Sequence, residues 1–383
     1  MLSLSDKAPP VAVTSGCHGT VAAADPVVYF AGGPGGSAVA DIPSELLDLL
    51  NLNAHRDLVF IEQRGTGESS PLTCPAFTAT LADQAALRAS VTSCLAHLGG
   101  DLRFYTTAMY ADDVNQVLGD LHYAKVNLMG ISYGTAVEQV FLLRHPARVR
   151  TIIMQSGSPL DVHAIERSPW VLPAAQSPTH KTQRLRQDDL AGGLYQAMYG
   201  FNEALIPAAV HTLATARNKA AAVAAVISAG QVSGGQEDGG GPNLMMPDTI
   251  TRDEPWAADR PAAMSGERAS FAYRTDVQVA RWWQVVCPLI PKSAAAVGDL
   301  RLRKSRVPVL AFNGAGDPIE QPRNWAGARK FHPNSRDIAL PGQGHDVDSA
   351  SWQACTGTTW GGSSSTAPWS RRRTGRCCGG PAG

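Results

Sequence analysis

The chain has 383 residues, 44% of them hydrophobic, enough for a full apolar core in one large α/β domain with an insertion or in two domains. Lysine plus arginine and aspartate plus glutamate each number 33, so no net field draws the protein toward nucleic acid or an anionic membrane. No apolar run approaches the ~20 residues of a membrane span, and the seven cysteines form no paired C-x-x-C clusters of the zinc type, so neither a metal nor a cofactor is expected.

Taken in chain order, residues 10–16 can form a strand. Asp25 to Phe30 is a firmer one, because Val-Val-Tyr-Phe between turn signals is the pattern of a buried strand. It opens into Ala31-Gly32-Gly33-Pro34-Gly35-Gly36-Ser37. A phosphate cradle would need Gly-Lys-Ser/Thr at the end of that loop, and none follows. The alternative use of such a loop is to turn backbone N–H groups toward a developing oxyanion. Asp57 to Glu62 is the next strand, closed by Gln63 to Ser69, in which Arg64 either ties the loop to neighbouring carboxylates or is solvated.

A helical pattern runs over 78–97. A second, over 107–121, spaces Val114, Val117, Leu118 and Leu121 for one buried face. Cys74 and Cys94 lie across the first of these helices, and their spacing suits a disulfide in an oxidising compartment as well as it suits two buried thiols.

Lys125 to Ala136 (KVNLMGISYGTA) is the centre of the reading. The apolar run Val126 to Met129 leads into Gly130-Ile131-Ser132-Tyr133-Gly134 and then into a helical pattern ending near Arg144. Strand, abrupt turn and helix with serine at the apex is a nucleophile elbow, whose glycines allow strand and helix to approach closely. Arg150 to Gln155 is a further buried strand, followed by Ser156-Gly157-Ser158-Pro159.

From 160 to 304 the pattern changes to helical segments, notably Asn202 to Ala229, with a Gly/Ser/Pro loop at 230–242 and the stretch Arg252-Asp253-Glu254-Pro255-Trp256. Strands return at Arg306 to Phe312, ending near Asp317, and at Ser335 to Leu340, ending in Pro341-Gly342-Gln343-Gly344-His345-Asp346. The expected organisation is an α/β core at 1–159 and 305–355, with a mostly parallel sheet and helices on both faces. A mainly helical lid is inserted at 160–304. A low-complexity tail at 356–383 has no periodicity and is expected to be disordered, its run Arg371 to Arg373 solvated.

Parallel strands bring their C-terminal ends to one edge, so Ser132, Asp317 and His345 can meet there. Of the ten histidines, His345 alone follows a late strand in a glycine turn. Serine at its free pKa is a poor nucleophile. His345 is therefore expected to take its proton, with Asp317 orienting the imidazole and Asp346 the rival carboxylate.

With AGGPGGSA at 31–38, DLVFIEQRGTGESS at 57–70, YTTAMYADD at 105–113, VNLMGISYGT at 126–135, VPVLAFNGAGDP at 307–318 and LPGQGH at 340–345, the chain resembles the prolyl iminopeptidase and tripeptidyl-aminopeptidase group of α/β-hydrolases. The resemblance covers roughly 25–160 and 305–355. It implies Ser132, Asp317 and His345 as triad and the backbone N–H groups of Gly33 and Tyr133 as oxyanion donors. It also implies a Cys74–Cys94 disulfide and an exported enzyme that removes residues from free peptide N-termini. The substrate amine falls to Asp253 or Glu254.

The chain departs from the family pattern in several places. Met1 to Pro10 lacks the basic start and apolar centre of a signal peptide. Barely one strand precedes Asp25, an orderly helix does not follow His345, and no cysteine precedes the acidic pair, which leaves Cys287 without its family partner. A shifted reading frame or a truncation would explain both ends. The expected partner is a small peptide or ester substrate, not nucleic acid or membrane. The alternatives to an exopeptidase are a carboxylesterase of the same fold and a catalytically impaired homologue.

Overall fold

The computed structural model of the chain describes residues 13–16, 25–43, 45, 56–74, 83–157, 160, 245–254, 280–293, 300–317, 319–345 and 347, with a few positions between 211 and 218. The strands are β1 (Val13–Gly16), β2 (Val27–Phe30), β3 (Leu58–Ile61), β4 (Val126–Ile131), β5 (Val149–Gln155), β6 (Val309–Gly314) and β7 (Ser335–Leu340). They form one seven-stranded sheet in the order β1-β3-β2-β4-β5-β6-β7. Only the edge pair β1 and β3 is antiparallel, with Val13 opposite Ile61; the remaining pairs are parallel.

The apolar runs explain this arrangement. Every residue of β2 and β3 is buried, as in strands covered on both faces. Alternate side chains divide between two cores: Val28, Phe30, Val59, Ile61 and Leu128 lie in one, Val27, Tyr29, Leu58, Phe60 and Met129 in the other. The first core receives Leu87 and Val91 of α1 (Gln84–His97), Val114, Val117 and Leu118 of α2 (Thr107–Asp120), Val137 and Val140 of α3 (Tyr133–Arg144), and Met245 and Ile250 of α4 (Met245–Thr251). The second is covered by Ala38 and Ile42, beyond the glycine loop, and by Val347.

Caps set the helix starts. Asp83 accepts from the Ala86 N–H and Thr106 from the Met109 N–H. Leu121, expected on the buried face of α2, is instead its C-cap residue and is exposed, because the helix ends one residue earlier. The strand expected over 306–312 runs over Val309–Gly314. Pro308 has no N–H to add to a ladder, and Asn313 and Gly314 pair with Ala339 and Leu340.

Cys74 and Cys94 are joined, with Cα atoms 5.4 Å apart, and this disulfide fastens the loop after β3 to α1. Cys287 is a buried thiol whose pKa is pushed up to about 12, chiefly by burial. The tail at 356–383, the loop at 230–242, most of 202–229 and the remaining cysteines lie outside the described residues.

Sequence order reverses at β2 and β4. The chain passes from β2 to β3 on one side, then crosses over to β4 and proceeds outward through β5, β6 and β7. The crevice beyond the carboxyl ends of β2 and β4 is thus a topological switch point, the usual place for a ligand in an open α/β sheet.

Candidate active site

Ser132 stands in that crevice, between β4 and α3, with φ 51° and ψ −117°. A non-glycine residue held there costs about 1–3 kcal/mol, comparable to what one buried apolar side chain contributes, and β4 alone buries Val126, Leu128 and Met129. The turn closes only because its flanking residues lack side chains. A Cβ on Gly134 would strike the Phe30 carbonyl, and one on Gly130 the Gly134 main chain.

A serine at a helix N-cap ordinarily spends its hydroxyl on the helix, but Ser132 makes no side-chain cap bond. Its carbonyl accepts the Thr135 N–H at 3.0 Å and the Thr135 hydroxyl at 2.7 Å, so the turn into the helix closes without Oγ. Oγ faces His345, whose Nε2 lies 3.0 Å away.

Asp317 and His345 reach Ser132 from the ends of β6 and β7. The two loops are interlocked, with the Gly316 N–H bonded to the Gln343 carbonyl at 2.9 Å and the Ala315 N–H to the Leu340 carbonyl at 2.8 Å. Asp317 Oδ1 accepts the N–H groups of Ile319 at 2.8 Å and Glu320 at 2.9 Å. Its carboxylate stands 3.0 and 3.1 Å from His345 Nδ1. Both side chains are buried. An Nδ1 that donates to a carboxylate leaves Nε2 as the proton acceptor. Asp346 lies outside the described residues.

Tyr133 opens α3, so its N–H has no acceptor within the helix and points from the positive end of the dipole. The glycine loop comes alongside: a side-chain carbon on Gly32 would stand 3.5 Å from the Ser132 Cβ. Gly33, with φ 116°, follows in the turn closed by the Gly36 N–H on the Gly32 carbonyl at 3.2 Å. Sequence reasoning missed the acid that holds this loop. Buried Glu62 accepts from the Ser37 hydroxyl, from the Val39 N–H at 3.2 Å and from the Thr66 hydroxyl at 2.8 Å. The available signal was a carboxylate ending a wholly apolar strand. Arg64, for which the sequence allows either a tied or a solvated role, is buried and paired with Asp113, Nε to Oδ2 at 2.7 Å.

Helix α4 closes over both loops. A β-carbon on Gly35 would lie 3.1 Å from Pro247 Cδ, and one on Gly65 2.9 Å from Met246 Sδ. Beyond α4, Asp253 and Glu254 are both buried, but they face different groups. Asp253 accepts the Ser293 N–H at 3.1 Å on each oxygen. Glu254 accepts the Thr107 hydroxyl, which in turn lies 2.8 Å from the Tyr133 phenol. Burial first, and the Glu254 charge second, push the Tyr133 phenol up. Among the described residues no group of three His, Cys, Asp or Glu side chains is placed to hold a metal ion.

A family profile described as the alpha/beta hydrolase fold matches residues 25–347. The tripeptidyl aminopeptidases of Streptomyces coelicolor and Streptomyces lividans are 29% and 28% identical to the chain over 149 residues. The matched stretch is 34% of this chain and 28% of each of those proteins, so the chain spans less than a third of the relatives it matches. Among solved structures, the esterase RhEst1 from Rhodococcus sp. ECU1013 aligns with 91% of this chain and 93% of its own at 15% identity and a TM-score of 0.44.

Proposed function

Because the chain belongs to the alpha/beta hydrolase fold family, we propose that it is a serine hydrolase that works through an acyl-enzyme and, more finely, an exopeptidase that releases residues from free peptide N-termini. The observation that carries the reading is the 3.0 Å approach of His345 Nε2 to Ser132 Oγ, with Asp317 on the other ring nitrogen. In the first half-reaction Ser132 Oγ adds to the substrate carbonyl carbon while its proton passes to His345 Nε2. The imidazolium formed is stabilised by Asp317. The oxyanion is held by the N–H groups of Gly33 and Tyr133, aided by the N-terminus of α3. Collapse breaks the bond to the leaving amine, which takes the proton from His345. Water then repeats the sequence on the acyl-enzyme with His345 as base.

The exopeptidase reading adds an acid for the substrate α-ammonium. Glu254 is the stronger candidate of the two lid acids, since Asp253 already serves the Ser293 N–H with both oxygens. Turnover of aminoacyl and short-peptide p-nitroanilides, compared with p-nitrophenyl acyl esters, tests the assignment. Hydrolysis of free-amine amides, and its loss on N-acylation, is expected. Turnover of the esters alone would reduce the protein to a carboxylesterase.

A further inference from the structure

The consecutive residues Gln155, Ser156 and Gly157, at the end of β5, each hold a different part of the candidate site. The Gln155 carbonyl accepts the Ser132 N–H at 2.9 Å. The Gly157 carbonyl accepts Asn313 Nδ2 at 3.0 Å and Trp325 Nε1 at 2.8 Å, groups that bracket Asp317 in the chain. Between them, Ser156 is completely buried and its hydroxyl donates to the main-chain carbonyl of His345.

Ser156 also has φ 50°, a left-handed conformation that a serine holds only against strain. Its N–H stays bonded to the Phe312 carbonyl of β6 at 2.7 Å, so the strained residue is pinned from behind while its hydroxyl reaches forward. Ser132 and Ser156 thus leave the adjacent parallel strands β4 and β5 in similarly strained turns, one presenting its hydroxyl to the His345 imidazole and the other to the His345 carbonyl.

The 3.0 Å spacing from Nε2 to Ser132 and the 3.0 and 3.1 Å spacings from Nδ1 to Asp317 hold together only if the His345 backbone is fixed, because the imidazole swings from its Cα. The Gln343 carbonyl, bonded to the Gly316 N–H at 2.9 Å, is a second main-chain tie of the same loop, two residues before His345. We propose that Ser156 is the positioning residue for the His345 base, setting its reach to Ser132 through the carbonyl bond without itself touching substrate. The proposal rests on the reading of Ser132 as nucleophile and His345 as its base.

Two variants separate positioning from folding. Ser156→Ala removes the hydroxyl and keeps the left-handed strain; Ser156→Gly removes the hydroxyl and relieves it. Their melting temperatures should therefore differ, with the glycine variant the more stable. The rate of covalent labelling by a fluorophosphonate, resolved into a saturating rate constant and a half-saturation concentration, is the readout. Positioning predicts that the saturating rate falls roughly 10- to 100-fold in both variants, the size of a misplaced catalytic group, with half-saturation unchanged. A glycine variant that labels at the wild-type rate, or losses that follow the order of melting temperatures, overturns it. A wild-type protein that is never labelled overturns instead the reading of Ser132, and the role of Ser156 with it.

Discussion

Ser37 donates its hydroxyl to Glu62, a bond between residues 25 positions apart that joins the glycine loop to the loop after β3. Glu62 is wholly buried, and the same carboxylate takes the Val39 N–H and the Thr66 hydroxyl. Glu62→Ala leaves the Ser37 hydroxyl and the Val39 N–H without this acceptor, whereas the Thr66 hydroxyl keeps the Gln63 carbonyl at 2.8 Å; a buried donor left unsatisfied costs about 1–3 kcal/mol. Both thermal stability and the rate of acylation should fall, since Gly33 rides on the loop that comes loose. A variant that melts and turns over like wild type would show that Glu62 does not hold the loop.

Helix α4 carries its own titrating group. Asp248 accepts Trp282 Nε1 on both oxygens at 3.0 Å, and burial pushes its carboxyl from 3.8 up to about 7. Between those values the folded protein keeps a proton that the unfolded chain has released. The contribution is therefore fully present below the ordinary aspartate value, falls as pH rises through the window and levels off above it, with a total of roughly 4 kcal/mol at most. Urea unfolding from acid to neutral pH should show this decline, and Asp248→Asn, which cannot ionise, should flatten it. An unchanged slope in the variant would assign the decline to other groups.

Asp317→Asn should leave the fold nearly intact and reduce turnover by roughly 10⁴, because an amide can hold the wrong imidazole tautomer. Steady-state kinetics on the folded variant measure this. A loss under about tenfold would mean that another carboxylate orients His345.

Glu254→Gln tests the amine anchor. Glutamine keeps an oxygen for the Thr107 hydroxyl but loses the charge. A charge-assisted bond of about 1.5–3 kcal/mol then disappears, and kcat/KM for free-amine peptides should fall by about 10- to 150-fold while esters and N-acylated substrates are spared. Equal losses on both substrate classes would discard the anchor and return Glu254 to the role of a brace for Tyr133.

The parts legible in the sequence are those set by local periodicity. Val27 to Phe30 and Leu58 to Ile61 are apolar on both faces and can only be interior strands, and Gly130 and Gly134 around Ser132 announce a tight strand-to-helix turn. Strand direction allowed Ser132, Asp317 and His345 to meet at one edge of the sheet; the elbow, the glycine turn before His345 and the family resemblance singled them out. What was not legible is which loop ends touch. Ser156 reaches His345 across 189 positions, and Thr107 reaches Glu254 across 147. Neither pair has a periodic signature, because each depends on the order of strands and on where α4 comes to rest. The two acids Asp253 and Glu254 are neighbours in sequence, but the turn after α4 points them at different partners.

Covalent labelling reads most directly whether Ser132 is an activated nucleophile. The intact protein, treated with a fluorophosphonate and digested, should carry the adduct on the peptide containing Ser132. Ser132→Ala should abolish the adduct, and His345→Ala should slow its formation by several orders of magnitude. Labelling that persists in Ser132→Ala, or that maps to another serine, would contradict the account.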